Sequence, residues 1–467
     1  MKSARAKDKE KVKNSEIIGI SFDGRKDLTR ALIPDSTGRL HPRIIKEQHI
    51  SVTAEPSGRY VGHVTPEEPV HPVKPAMKEA EAVYHLMQQH DLTESCMILG
   101  GDSTVSNTGW KGGAIANLEK LLGHKCHWCI CMLHTNELPL CHLIVGIDGA
   151  TTSNVAFSGP IGKLLGSVNE MEYQPQFKAL PGGEDFIILP KIVLDNMSTD
   201  QQLSYKLCNA VKNGCLPLDL REIKCGALNH ARWLTTGMRL VYLWTRKHDL
   251  SGKQLEDLEI LVRFSLESYF KLFFDIKVKD RLKDAPHHIL TQLRILRTQS
   301  KRVQGIVTPF VCSGAWHSHH ENVPLALLAS PDKVDRKFGI DQILKLRNGK
   351  EIGDLSVRYR KTPKLNLKAT TLQDLVSWTS GDIHEPVFTC NLSNEELINI
   401  LEKPYVTPDV KIHSQSTERA VQQVTEAAKA VVGQEARDGF ITARLQHIEK
   451  MPKFKTKQHI MPLIRHS

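Results

Sequence analysis

The sequence predicts a mixed α/β fold, in which a β-sheet is followed by a large all-α insertion and then by one last core helix. Short apolar runs at residues 17–22 and 96–99 are typical of buried strands, and an aspartate follows each of them, Asp23 and Asp102. From residue 228 onward, apolar side chains recur at helical spacing in one segment after another. The 467 residues are enough for two or three domains, so a sheet domain and a helical region can coexist.

The composition is ordinary for a soluble globular protein, with 40% hydrophobic and 24% charged residues. No apolar run approaches the ~18 residues that a membrane-spanning helix needs, so we expect no membrane partner. The N-terminal segment lacks the apolar stretch of a secretory signal. Ten cysteines, several of them within predicted strands, suit a reducing compartment better than a disulfide framework.

The chain has a formal net charge of +10. This balance fits a nucleic-acid partner, although many basic proteins of this size bind none. Residues 1–14 are rich in lysine and lack aromatic side chains, so we predict a disordered basic tail, which is either a nuclear-import patch or a solvated end. Residues 441–467 are also basic, contain two prolines and are predicted to be a loose tail.

The predicted elements before residue 134 follow one another in a defined order. After the strand at residues 17–22 come two strands at 48–54 and 59–65, joined as a hairpin by Pro56-Ser57-Gly58. The remaining elements are a helix, a strand, a helix and a strand, at residues 76–89, 96–99, 111–122 and 127–133. This order is similar to that of the ribonuclease-H-like fold, a mixed sheet in which the first and fourth strands are neighbours.

The ribonuclease-H-like fold presents two carboxylates at adjacent strand ends, and Asp23 and Asp102 occupy those positions here. Two Mg²⁺ (or Mn²⁺) ions about 4 Å apart need a shared carboxylate to activate water and to stabilise a leaving oxygen. The alternative is that both residues are solvent-facing turn aspartates, because Asp-Gly and Gly-Gly-Asp-Ser are common turn sequences.

A cysteine- and histidine-rich run follows the second aspartate. The spacings Cys126-x2-Cys129 and Cys131-x2-His134 allow a zinc site. Residues 127, 129 and 131 would share one face of a strand, however, which suits packing better than a tetrahedral cage. Free cysteine is also among the most buried residue types. His134 lies where the strand passes into a helix, and from there it could point at the acidic site.

The helical insertion is predicted to extend over residues 236–410, between a first core part at 15–235 and a C-terminal core helix at 411–440. Its helices are predicted at residues 255–276, 288–311, 321–328 and 333–346, after a helix over 228–244. A basic, proline-broken segment contains Arg358, Arg360 and Lys361. It either contacts a phosphate backbone or forms a solvated loop.

The last core helix begins near Ser414, and Glu418 lies in its first turn. An acidic residue is favourable there by about 0.3–1 kcal/mol without any function. We nevertheless predict that Glu418 is a metal ligand, because the two aspartates neutralise only half the charge of two divalent ions. Glu321 is the rival, but it begins a helix inside the predicted insertion, whereas the helix of Glu418 is long and amphipathic and can pack on the sheet.

The order of these motifs resembles that of the hAT superfamily of DNA transposases, from about residue 17 to residue 440. Asp23 and Asp102 match the family's aspartates at the ends of the first and fourth strands. Cys131 and His134 match its C-x-x-H at the fifth strand. The helical insertion before Glu418 also matches.

Two further motifs match the family and three features depart from it. Arg232-Trp233 resembles the R-W pair, and Ser416-Thr417-Glu418-Arg419 resembles the late helix in which an E-R pair supplies the third carboxylate. Asn107 follows Asp102 one residue later than in the family, no zinc-finger domain precedes residue 17, and the E-R pair runs on into Ala-Val.

The resemblance implies Mg²⁺-dependent DNA cleavage and strand transfer in the nucleus, by a transposable-element enzyme or a truncated copy of one. Asp23, Asp102 and Glu418 would hold the ions and His134 would steady the site. Trp233, next to Arg232, would stack on a displaced base. DNA is the expected partner, and a homo-oligomer stays open. The alternatives are a domesticated, non-catalytic DNA-binding protein on the same fold and a helical protein-interaction scaffold.

Overall fold

The computed structural model describes residues 17–66, 74–153, 156–180, 188–228, 232–313, 321–348, 365–378 and 383–450. The predicted tail at 1–14, most of the tail at 441–467, and Arg358, Arg360 and Lys361 lie outside these residues. The described chain forms two compact units. The first contains residues 17–131, 321–348 and 383–450, and the second contains residues 132–313 and 365–378, with the gaps given above.

The first unit contains a five-stranded sheet and its helices. Its strands are β1 Gly19–Pro34, β2 Leu40–Glu55, β3 Arg59–Val64, β4 Ile98–Gly101 and β5 His127–Ile130. Its helices up to β5 are α1 Pro75–Gln89, α2 Val105–Thr108 and α3 Ala114–Leu122.

The second unit is mainly helical. It contains α4 Met132–Asp148, β6 Thr151–Ser153, β7 Ala156–Phe157, α5 Pro160–Leu164, α6 Lys191–Asn196, α7 Thr199–Asn213, α8 Leu218–Arg221, α9 Arg232–Trp244, α10 Lys253–Phe264, α11 Lys271–Val278, α12 Ala285–Thr298 and α13 Lys301–Ser313. A π-helical stretch, Ser265–Phe270, joins α10 to α11, so the helix predicted over 255–276 is continuous but not uniformly α-helical.

The later helices of the first unit are α14 Asn322–Leu328, α15 Lys333–Asn348, α16 Asn394–Asn399, α17 Gln415–Ala430 and α18 Gln434–Lys450. The helices α14, α15 and α16 thus belong to the unit that contains the sheet, although they lie within the range predicted as the insertion. No helix among the described residues combines the length and the apolar character needed to cross a membrane.

The sheet has the strand order β3-β2-β1-β4-β5, with β1 antiparallel to β2 and parallel to β4. It is therefore a mixed sheet in an α/β fold, as predicted at this coarser level. The prediction that the first strand ends before Asp23 is wrong, because β1 continues to Pro34 and pairs with β2 from Leu40 onward. The prediction that the last strand reaches residue 133 is also wrong, since α4 begins at Met132.

A turn that the sequence analysis did not recognise explains the longer hairpin. The carboxylate of Asp35 accepts hydrogen bonds from the backbone N–H groups of Thr37 and Arg39, at 2.8 and 3.1 Å. The Thr37 hydroxyl and the His41 ring also contact it, and these hydrogen bonds lower the pKa of Asp35 to about 2. Asp35 therefore stabilises a tight turn that reverses the chain between β1 and β2.

The two faces of the sheet are covered by different helices. Gln48 of β2 donates to Glu79 of α1 at 2.7 Å. On the opposite face the hydroxyl oxygens of Thr53 and Thr417 lie 2.8 Å apart, which places α17 there. Residues 48 and 53 point to opposite faces because side chains alternate along a strand.

Candidate functional site

The register of β1 and β4 brings Asp23 and Asp102 to neighbouring positions. The parallel pairing joins Gly19 to Ile98 and Ser21 to Gly100, so the same register continued by two residues sets Asp23 opposite Asp102. Asp102 directly follows the end of β4, whereas Asp23 lies within β1. The first and fourth strands are neighbours, but only Asp102 follows a strand end, so the prediction that both aspartates lie at strand ends is wrong for Asp23. That the two aspartates form one site stays a prediction.

Close packing of the two strands depends on a glycine that precedes the second aspartate. A Cβ atom at Gly100 would collide with the Ser21 hydroxyl on β1. Glycine at position 100 is thus required by the packing of β1 against β4, and two residues later Asp102 follows the end of β4.

The Asp102 carboxylate is held by the short segment that follows it. Its Oδ1 atom accepts hydrogen bonds from the backbone N–H and hydroxyl of Thr104, at 3.1 and 2.6 Å, and from the Asn107 side-chain amide at 2.7 Å. Asn107 is itself buried in α2. These three donors fix the orientation of the carboxylate, and they give Asn107 a role that does not depend on any family spacing.

The Asp23 side chain lies on the face of the sheet that α17 covers. It is half-buried, and its Oδ1 atom accepts a hydrogen bond from the Gly24 N–H at 2.7 Å. Asp27 lies on the same face of β1, and its carboxylate accepts a hydrogen bond from Thr425 of α17 at 2.7 Å.

A third acidic group near Asp102 was missed by the sequence analysis. Burial raises the pKa of Glu79 on α1, the hydrogen bond from Gln48 opposes this shift, and the negative charge of Asp102 raises the pKa further. The Glu79 carboxyl group is therefore within electrostatic reach of Asp102. Its sequence context, Lys-Glu-Ala-Glu on an amphipathic helix, gives no signal that separates it from an ordinary surface glutamate.

Glu418 lies in the first turn of α17 and is exposed. The residue before it, Thr417, is buried against Thr53, whose hydroxyl also donates to the Ser21 carbonyl at 3.3 Å. Ser416 packs against Gly58, at the turn between β2 and β3, where φ is +64°. The start of α17 is thus fixed beside β1 and β2 at the level of Ser21. Ser21 lies two residues before Asp23 on β1.

Mg²⁺ prefers carboxylate oxygens and water as ligands, so Asp23 and Asp102 are suitable donors. Among the described residues, no three His, Cys, Asp or Glu side chains form a group that could hold a metal ion. Asp23, Asp102 and Glu418 are therefore not gathered into such a group in this structure. The assignment of Glu418 as a third ligand stays a prediction.

The rival residue, Glu321, lies at the other end of the sheet. It is 1% exposed and precedes α14, whose first residue, Asn322, has its side-chain oxygen 3.0 Å from the His127 ring. His127 begins β5, whereas the level of Asp102 corresponds to the end of that strand. Glu321 thus belongs to the sheet unit, but it starts a helix beside the strand end opposite to the aspartates.

The three cysteines of the cysteine- and histidine-rich run lie in the first unit. Cys126, Cys129 and Cys131 are buried thiols. The Cys126 thiol donates to the Cys96 carbonyl and the Cys129 thiol to the Lys411 carbonyl, both at 3.3 Å. Burial raises the pKa of Cys129, which opposes the thiolate form that zinc requires. These contacts favour packing over a zinc site.

The remaining predicted site residues that the structure describes lie in the second unit. His134 is half-buried in the first turn of α4, Arg232 begins α9, and Trp233 is half-buried in the first turn of that helix.

No protein-family model matches the chain, and no curated protein matches it either.

Proposed function

We propose that this protein acts on DNA through a ribonuclease-H-like core, as a metal-dependent polynucleotidyl transferase of the hAT transposase type. One observation supports this most: the strand order β3-β2-β1-β4-β5, with β1 and β4 parallel and in a register that, continued by two residues beyond the last pair, sets Asp23 opposite Asp102. The net charge of +10 is consistent with a polyanionic substrate.

Asp23 and Asp102 would hold a divalent ion, Mg²⁺ or Mn²⁺. When bound, such an ion activates a water or a 3′-hydroxyl and stabilises the leaving oxygen of a phosphodiester. Thr104 and Asn107 hold the Asp102 carboxylate in a fixed orientation. The Glu79 carboxyl group is within electrostatic reach of Asp102, and the helix that contains Glu418 is anchored on β1, the strand of Asp23, and on β2. We further propose that Trp233 contacts a displaced base and that His134 steadies the phosphate.

The experiment is a nicking assay on supercoiled DNA with Mg²⁺ or Mn²⁺. Wild type should nick the DNA, and Asp102→Asn should be slower by ~100-fold or more, because loss of a metal ligand removes several kcal/mol of transition-state stabilisation. Glu94→Gln is the matched control, since Glu94 is an exposed acid shortly before β4. Equal nicking by Asp102→Asn and wild type would remove Asp102 from the site.

A second candidate is a non-catalytic DNA-binding protein on the same fold. The exposure of Glu418, the third carboxylate of the predicted metal site, favours it. It predicts salt-dependent DNA binding with no nicking in either metal, and identical binding by wild type and Asp102→Asn.

A further inference from the structure

The hairpin of β1 and β2 extends well beyond the rest of the sheet. Strand β4 pairs with residues 19–21 of β1, and β3 pairs with residues 50–54 of β2. Within the described strands, residues 26–34 and 40–48 pair only with each other and form a two-stranded segment ~30 Å long. We call residues 26–48 the β-ribbon.

One face of the β-ribbon is covered near the sheet by α17 and α18. Asp27 and Thr29 are 5% and 0% exposed there. The Thr425 hydroxyl donates to Asp27, and Arg437 of α18 donates to the Arg30 carbonyl and to the Glu47 carboxylate, at 3.0 and 3.1 Å. These contacts hold the β-ribbon in a fixed position on its own unit.

The other face is exposed and strongly apolar. Four large aliphatic side chains point to it, with exposed fractions of 60% for Leu28, 46% for Leu32, 55% for Leu40 and 71% for Ile44. Residues two apart on a strand share a face, so Leu28, Arg30 and Leu32 point the same way on β1, as do Leu40, Pro42 and Ile44 on β2. The register pairs Arg30 with Ile44 and Leu32 with Pro42, so the two sets lie on the same face of the ribbon. A contiguous set of exposed aliphatic side chains on a folded protein marks an interaction surface.

The same exposed face contains cations and no acidic residue. Lys26, Arg30 and Lys46 alternate with the aliphatic side chains. Of the acidic residues in the β-ribbon, Asp27 and Glu47 point to the covered face and Asp35 is bound within the turn. A second copy of this face would therefore bring like charges together, whereas a polyanion would be complementary to it.

We infer that the exposed face of the β-ribbon binds duplex DNA, with Lys26, Arg30 and Lys46 at the phosphates and the aliphatic side chains in a groove. A two-stranded ribbon fits the major groove, and leucine, isoleucine and proline side chains insert between base steps in minor-groove binders. The Asp35 turn pre-orders the tip of the ribbon, so little flexibility is lost on binding. This inference rests on the proposed function for its choice of DNA, but it concerns binding and not cleavage.

The test measures binding of a fluorescent 20-base-pair duplex by anisotropy over a range of NaCl concentrations. The triple variant Lys26→Gln, Arg30→Gln, Lys46→Gln should bind at least ~10-fold more weakly at 0.1 M salt, and the slope of log Kd against log salt should fall by about 2–3. The control removes three exposed lysines of the same unit, Lys345→Gln, Lys403→Gln and Lys429→Gln. This control variant has the same net charge as the ribbon triple variant. Its slope of log Kd against log salt should lie within about one unit of the wild-type slope.

A second variant, Leu28→Ser with Ile44→Ser, tests the groove contact. It should weaken binding several-fold with an unchanged salt slope, because it removes no charge. Both residues are exposed, so the melting temperature should stay as in wild type. Wild-type affinity in both variants, or an equal loss in the lysine control, would overturn the inference.

Three further outcomes distinguish this inference from membrane binding and from the proposed cleavage. Ribbon-dependent binding to phosphatidylserine vesicles without ribbon-dependent DNA binding would overturn it in favour of a membrane surface. Ribbon-dependent DNA binding without nicking would support the ribbon and contradict the proposed cleavage. If the protein nicks DNA but its ribbon variants bind DNA as tightly as wild type does, DNA binding by the ribbon is contradicted and the proposed cleavage is not.

Discussion

The two faces of the sheet over β1, β2 and β3 are equally buried but chemically opposite. The face toward α1 and α3 contains apolar side chains that are at most 2% exposed, namely Ile20, Phe22, Ile50 and Val52. The face toward α17 and α18 contains polar side chains that are at most 5% exposed, namely Ser21, His49, Ser51, Thr53 and His63. Side-chain alternation in the same strands produces both faces.

Polar side chains on the second face are stabilised by partners far along the chain. The Asp438 carboxylate of α18 accepts hydrogen bonds from the Tyr60 hydroxyl and from the His63 ring, both at 2.6 Å. Gln434 donates to the His63 carbonyl at 2.6 Å. Burial, together with the nearby His63 and Arg437, lowers the pKa of His49 to about 3, so this ring is neutral at pH 7.

The chemical difference between the two faces explains how the helices on each side of the sheet are held in position. Burying a polar group is costly unless it is hydrogen-bonded, so α17 and α18 fit the sheet only in the register that satisfies these groups. The apolar face provides most of the stability, and the polar face fixes the position of the helix that contains Glu418. Two substitutions, one on each face, test this division.

On the apolar face, Phe22→Ala should lower the free energy of unfolding by about 3–5 kcal/mol, because it removes a buried ring and leaves a cavity. Urea denaturation measures this loss, and Phe22→Leu should cost much less. A loss below about 1 kcal/mol for Phe22→Ala would mean that this face is not the main source of stability.

On the polar face, Asp438→Asn should cost about 1–3 kcal/mol, since a charged acceptor shared by Tyr60 and His63 is replaced by a neutral amide. Hydrogen exchange should show faster opening of α18 than of α1. Tyr60→Phe, which removes one donor, should have a smaller effect. Equal protection of α18 in wild type and Asp438→Asn would show that the polar contacts do not hold this helix.

The sequence predicted the local elements better than the contacts between distant segments. The strand before Asp23, the hairpin at Pro56-Ser57-Gly58 and the strand before Asp102 follow from apolar runs and turn residues, which are local signals. The extension of β1 to Pro34 was missed because its apolar residues face solvent on the β-ribbon. In this stretch the covered face contains polar side chains such as Asp27 and Thr29 and the exposed face contains leucines, so the usual pattern of apolar-inside alternation is absent.

Contacts around the candidate site also divide into local ones, which a sequence can indicate, and contacts between distant segments, which it cannot. Asn107 could be predicted because it lies five residues from Asp102 in a turn-like sequence. The contact between His63 and Asp438 joins residues 375 positions apart, and the approach of Glu79 to Asp102 depends on how α1 packs. No periodicity or spacing in a single sequence reports such contacts.

The central claim is that Asp23 and Asp102 together bind a divalent metal ion, and Mn²⁺ binding followed by electron paramagnetic resonance tests it most directly. Wild type and Glu94→Gln should bind Mn²⁺ with equal affinity, and Mg²⁺ should compete. Asp23→Asn and Asp102→Asn should each weaken binding by at least ~10-fold, because each removes a carboxylate ligand. Unchanged Mn²⁺ affinity in both variants would contradict the claim.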